Sequence, residues 1–182
     1  IKGNIFSKPD GTVAFIDFQV YLWLAFYANE FNAIEKFSGK FIRKISTDNS
    51  EFAKKLCEAL ILFGKGSFDK VLSIISSTDY LDFMSKVNIK KLKVMCLYEL
   101  NDYESFENEN KSLYHFLKNN KSLSLTARNS INGLFDKINK LFKLKLDFNS
   151  YDYEKLLNEI SNDSINKSSW LNKKISEFEK EH

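Results

Sequence analysis

Apolar residues recur along this chain at helical spacing. From Ile131 they fall at Ile131, Leu134, Phe135, Ile138, Leu141 and Phe142, the i, i+3, i+4, i+7 arrangement that lays one stripe along one face. Tyr153, Leu156, Leu157 and Ile160 repeat it. Strict alternation, the mark of a half-buried strand, is sustained over no comparable length, and Pro9 is the sole proline. The pattern predicts an all-α chain after an irregular start at residues 1–11. A longer helix near 124–145 and shorter ones near 151–161 and 168–180 close its C-terminal end, in a total of roughly seven to nine helices. The run Val20–Ala28 (VYLWLAFYA), bracketed by Asp17 and Asn29, is far short of the ~20 residues a membrane span needs and reads as a buried helix.

A longer period overlies the helical one. The segments Tyr27-Ala-Asn-Glu-Phe31, Phe63-Gly-Lys-Gly-Ser-Phe68 and Tyr98-Glu-Leu-Asn-Asp-Tyr103 align, and their anchors Phe31, Phe68 and Tyr103 are 37 and then 35 residues apart. Three positions after each anchor stands an apolar residue, Ile34, Val71 or Phe106, as when a second helix starts after a tight turn. A fixed period in this range marks stacked helix pairs.

At these residues the chain resembles a tetratricopeptide repeat (TPR), whose period is about 34 residues and whose turn reads Gly-Asp-Tyr-Glu-Lys-Ala. Gly66-Ser-Phe-Asp-Lys-Val71 matches that turn best, and Asn101-Asp-Tyr-Glu-Ser-Phe106 keeps the aromatic and the acid with Asn in place of Gly. Asn tolerates the left-handed conformation such a helix end needs. Ala59 and Val94 hold the small or apolar position seven residues before the turn residue, whereas Glu58 and Lys93 occupy a usually apolar one and the closing Pro is missing. The resemblance implies a single domain over 1–182: a right-handed α–α superhelix of about three TPR-like repeats across 12–120, then C-terminal helices and a cap across 121–182. Trp170 and Leu171 are expected to cover the apolar face of the last pair.

The stretch from Leu60 to Ile175 is also similar to the C-terminal part of a family of uncharacterised bacterial proteins built from degenerate TPR-like helices. The segments LFGKGSFDKVLSII, LYELNDYESF, LYHFLKNNKSLS and INGLFDKINKLFKLK carry the similarity, with Ser169-Trp-Leu171 and Lys174-Ile175. In that family further helical repeats precede the segment, which implies that this chain is the C-terminal part of a longer protein. No activity or partner carries over.

Charge and composition narrow the chemistry. Lys plus Arg is 27 and Asp plus Glu is 24, a net +3 too small to demand a polyanionic partner. Cys57 and Cys96 lack CxxC spacing and read as small buried hydrophobes in a reducing, cytoplasmic setting; no signal peptide is recognisable. Gly64-Lys65-Gly66-Ser67 lacks the spacing and preceding strand of a phosphate loop and reads as an interhelical turn. His115 has no second His or Cys at i+3 or i+4, so no metal or other cofactor is expected, and a Cys–His catalytic pair has no cue beyond the residues' existence. Glu99, Asp102, Glu104, Glu107 and Glu109 read as a solvated helix start favoured by the helix dipole. The chain is expected not to be an enzyme.

Two binding surfaces are candidates. With the repeat register above, the first helices turn Gln19, Trp23 and Phe26, then Leu56, Leu60 and Phe63, then Lys91, Met95 and Tyr98 toward the inner side, where a solenoid binds peptides. The alternative is that these residues pack on one another or on preceding repeats. The expected function is a non-catalytic scaffold for protein–protein interaction, its partner a polypeptide or upstream repeats of its own full-length chain. The second candidate is the Lys-rich segment 111–145, net +7, in which Lys118, Lys121, Arg128, Lys137, Lys140 and Lys143 form a basic strip for a polyanion or nucleic acid. Lys137 and Lys140 lie mostly opposite the Ile131/Leu134/Ile138/Leu141 stripe and are expected to face water.

Overall fold

A computed structural model describes residues 11–78, 82–120, 123–162 and 169–181, and among these every regular element is a helix. In chain order they are α1 (Phe15–Tyr27), α2 (Phe31–Phe41) with a 3₁₀ turn at Ile42–Lys44, α3 (Thr47–Gly64) and α4 (Phe68–Ser76). Then follow α5 (Phe83–Glu99), α6 (Tyr103–Asn119), α7 (Leu125–Leu146), α8 (Ser150–Ser161) and α9 (Ser169–Glu181). The last three lie within two residues of the bounds expected from periodicity alone.

The turns α1–α2, α3–α4 and α5–α6 are built alike. Asn29, Gly66 and Asn101 hold the left-handed conformation at φ 59°, 72° and 57°, and these positions are 37 and 35 residues apart. One residue later, the Glu30, Ser67 and Asp102 N–H groups each donate five residues back, to the Ala25, Leu62 and Leu97 carbonyls at 2.8, 3.0 and 3.0 Å. This is the Schellman closure, which satisfies carbonyls orphaned at a helix end. Two of the three left-handed positions are Asn, the residue after Gly that adopts them at least cost. Side-chain caps also start helices α6, α7 and α8: Asp102, Ser124 and Asn149 side chains accept from the Ser105, Ala127 and Asp152 N–H groups at 3.1, 3.1 and 3.0 Å.

The chain divides into two compact units, 1–96 and 97–182. In the first, α3 packs against both α1 and α2, and residues one period apart meet across the α1–α3 joint. Phe15 touches Phe52 at 5.8 Å and Phe26 touches Phe63 at 5.1 Å, both edge-on. The step from each first helix into its second recurs as well, with Phe26 edge-on to Phe31 at 6.0 Å and Phe63 to Phe68 at 5.2 Å. Such edge-to-face pairs add about 0.5–1.5 kcal/mol each beyond the area they bury. The Val20–Ala28 run does not make a wholly buried helix: Val20 and Leu24 are exposed, because α2 and α3 cover other sides of α1.

In the second unit α7 packs against α6, α8 and α9. Phe142, fully buried, takes the edges or faces of Tyr98, Tyr103 and Phe106 at 5.0, 5.2 and 5.0 Å. Trp170 and Leu171 at the start of α9 are buried. Trp170 Nε1 donates to Glu99 Oε1 at 2.8 Å, and Lys174 Nζ donates to Glu99 Oε2 at 2.8 Å and to Glu177 Oε2 at 2.6 Å. Two Glu99 oxygens thus hold α9 by its indole and its ammonium.

Candidate functional site

Of the residues expected to line an inner groove, Gln19, Trp23, Phe26, Leu56, Leu60, Phe63, Met95 and Tyr98 are buried and Lys91 is half-buried. The aromatics pack on one another, though the buried Trp23 Nε1 has no hydrogen-bond partner among the described residues. Trp23 stands edge-on to Phe26 at 5.6 Å and Phe26 reaches Phe63; in the second unit, Tyr98 takes Phe142 and Trp170 edge-on, with Lys145 Nζ 5.0 Å above its ring. Gln19 is a structural donor: its Nε2 gives a hydrogen bond to Ser85 Oγ at 2.9 Å, and that hydroxyl donates to Asp82 Oδ2 at 2.6 Å. The same Asp82 accepts from the Ser85 N–H at 2.8 Å and so caps α5. Burial lowers the pKa of Lys91 by desolvation.

The basic strip is interrupted. Lys118 and Lys143 are exposed, whereas Lys121 lies outside the described residues. Lys137 is a correction to the sequence reading, being 6% exposed. Lys137 stands three and four residues from the buried Leu134 and Leu141 and seven from the buried Leu144, on the flank of the stripe, and the three helices packed on α7 cover that flank. Lys140 is neutralised twice, at 2.7 Å from Asp136 and 2.7 Å from Glu159 of α8. Desolvation pulls its pKa down, but the bonds to those two carboxylates outweigh it and leave the pKa raised. Arg128 is half-buried and donates from Nη2 to the Asn120 carbonyl at 3.0 Å. Lys140 and Lys143 open on a hollow of about 210 Å³ that also holds Asp147 and Asp152, so carboxylates interleave with the ammonium groups.

A different set of residues forms an open groove. Asn110, Lys111, Tyr114 and His115 of α6 face Asn132, Phe135 and Asp136 of α7 across about 370 Å³. Buried Phe135 is its apolar floor. Tyr114 is 56% exposed and meets the His115 ring edge-on at 6.0 Å, making an aromatic wall. The two charged members are already engaged on their own helices: Lys111 donates to Glu107 Oε2 at 3.0 Å and Asp136 accepts from Lys140. Two side-chain amides therefore dominate the polar lining, and each offers both donors and an acceptor. That is the complement of a peptide backbone, which presents one N–H and one C=O per residue. Sequence reading passed over Asn110, Tyr114 and Asn132. The available signal was Tyr114 itself, a large aromatic lying off the Phe106/Leu113/Leu117 row that α6 buries.

The acidic cluster also differs from a uniformly solvated start. Glu109 is buried and Glu99 is held by Trp170 and Lys174, while Asp102 caps α6 and Glu104 faces water. Among the described residues no three or more His, Cys, Asp or Glu gather as a metal site, and no helix is long and apolar enough to cross a membrane. Both cysteines are buried thiols outside any disulfide, and burial pushes the Cys57 thiol up to about 12, against the thiolate that a nucleophile needs. Gly64–Ser67 forms the α3–α4 turn. Comparison with family models, curated proteins and solved structures finds no match to this chain.

Proposed function

We propose that this chain is a non-catalytic scaffold that binds an extended polypeptide, and that the α6–α7 groove is where it does so. The observation that carries the reading is the composition of that groove: two amides with spare donors and acceptors, an exposed Tyr114 beside His115 and the apolar Phe135 floor, with the charges already paired. Aromatic anchors of this kind bury large area at modest entropy cost. The recurring left-handed turns support reading residues 12–120 as TPR-like pairs in a right-handed superhelix. Two buried thiols suit a reducing, cytoplasmic setting.

The test is to pan the folded chain against a displayed random-peptide library in high salt, beside Tyr114→Ala and Asn132→Ala variants. Enriched peptides that lose at least tenfold in affinity on either substitution support the groove. Failure to enrich any peptide, or peptides indifferent to both substitutions, overturns it. Polyanion binding through Lys118 and Lys143 is the second reading, favoured by their exposure. It would show as heparin binding that falls steeply with salt and is lost on Lys118→Gln, Lys143→Gln.

A further inference from the structure

α1 is apolar nearly all round, and its neighbours leave one row open: Ile16, Val20 and Leu24, spaced i, i+4, i+8 and 69%, 52% and 65% exposed. One period on, the same register positions are Ala53, Cys57 and Ile61 in α3; one period further, they are Asn88, Leu92 and Cys96 in α5. Ala53, Cys57, Leu92 and Cys96 are buried, and Ile61 and Asn88 are half-buried. What covers the row on α3 is the preceding helix pair. α3 packs on α1 and α2, and the Cys57 side chain lies beside Ser38 of α2. A stacking face that is closed on the later first helices is thus open on the first one, where an apolar surface has reason to be covered.

We infer that Ile16, Val20 and Leu24 dock a further helix pair of this repeat type, carried on the same polypeptide ahead of α1. The joint already present fixes what the incoming second helix looks like. α2 meets α3 at two points: Phe31 lies where a Cβ on Gly64 would come within 2.4 Å of its ring, and Ser38 sits seven residues later against Cys57. On α1 the counterparts of Gly64 and Cys57 are the bulkier Tyr27 and Val20. The incoming helix therefore carries small residues, Ala, Ser or Gly, at both its first-turn position and the position seven later, with aliphatic residues between them. A second copy of this chain fits less well. Three side chains fall far short of the about 20–30 residues a side of a stable interface. A twofold pairing of α1 also brings Asp17 toward Asp17, with no Lys or Arg on the helix to offset it. A tethered pair needs no such area, because tethering raises its effective concentration.

This inference concerns residues 11–64 and stands whether or not the α6–α7 groove binds peptide. Its test compares hydrogen exchange over Phe15–Tyr27 in the 182-residue chain and in the polypeptide as its source cell makes it, purified through a tag at that polypeptide's own C-terminus. A cell-made polypeptide that extends ahead of Ile1, with exchange in α1 slowed at least tenfold and restored by Val20→Asp while α3 and α4 stay protected, supports the docking face. Where Val20→Asp also exposes α3, the milder Leu24→Ala is read instead, with a smaller change in the same direction. A cell-made polypeptide no longer than this chain, or equal α1 exchange in the two, overturns the inference. So does a 182-residue chain that sediments as a dimer and is split by Val20→Asp.

Discussion

Gly64→Ala puts the packing of α2 on α3 under direct strain. Gly64 ends α3, and a Cβ built on it lies 2.4, 2.5 and 2.8 Å from Phe31 Cγ, Cδ1 and Cδ2. The atom nearest the new methyl is the root of the ring, so rotating the ring about its own axis does not clear it. Overpacking of this kind costs about 1–3 kcal/mol. Ala recovers at most ~1 kcal/mol of helix propensity over Gly, and less at a helix end. The net expectation is a loss of about 1–2 kcal/mol from the first unit. Trp23 and Trp170 lie one in each unit, so urea unfolding is followed by fluorescence in a Trp170→Phe background, where Trp23 reports on residues 11–96. In a double-mutant cycle, Phe31→Ala, which removes Cγ and everything beyond it, should remove most of the penalty, a coupling of about 1 kcal/mol between residues in contact. If Gly64→Ala is neutral or stabilising with Phe31 in place, or if its cost persists unchanged once the Phe31→Ala substitution has removed Cγ and the ring, Phe31 does not stand over Gly64 and the α2–α3 joint is wrongly described.

Gly66→Ala, at φ 72°, should lose about 1–2 kcal/mol by the same unfolding assay, whereas Asn101→Gly at the equivalent turn should lose nothing measurable. Cys57 and Cys96 should both resist a thiol reagent in the folded chain and react together when urea unfolds it; reaction of Cys57 near neutral pH would contradict a thiol pushed up to about 12. The bond from Lys174 holds the Glu177 carboxyl below its ordinary pKa, with burial opposing it. A depressed carboxylate stabilises the fold above its unfolded pKa of about 4.3 and ceases to as pH falls through the folded value. Glu177→Gln should therefore flatten the acid limb of the Trp170 unfolding curve below about pH 5, modestly, since the side chain is 41% exposed. An unchanged limb would remove Glu177 from the account.

The contrast between what was legible in the sequence and what was not follows range of interaction. The turns at Gly66 and Asn101 are local devices, needing only a residue that accepts positive φ and an aromatic anchor two positions on, so spacing revealed them. The α7 stripe from Ile131 to Phe142 was readable for the same reason, each position lying one turn from the next. Coverage is a different matter, because it depends on elements distant in the chain. In α1 nearly every position is apolar, so its own sequence does not say which side its neighbours will take; Trp23 and Phe26 went inside while Val20 and Leu24 stayed out. Lys137 shows the converse. A count of about 3.6 residues per turn puts it on the flank of the core stripe, beside Leu134 and Leu141, and whether that flank meets water is decided by α6, α8 and α9, which pack on α7 and cover it.

The same reasoning separates packing from binding among the aromatics, which make up 15% of the chain. Trp23, Leu60 and Met95, and likewise Phe26, Phe63 and Tyr98, hold equivalent register positions one period apart, and all six are buried in packing. Tyr114 has no such duty: it is off the buried row of α6 and keeps more than half of its surface. Binding residues in a stacked-helix chain are therefore better sought where an apolar side chain departs from the repeat than where it obeys it. The exposed row of α1 is the exception that fits the rule, since it obeys the repeat and is open only where a neighbouring pair is wanting among the described residues. A peptide partner that mapped to Trp23 or Phe63 instead of Tyr114, with the fold intact, would contradict this separation outright.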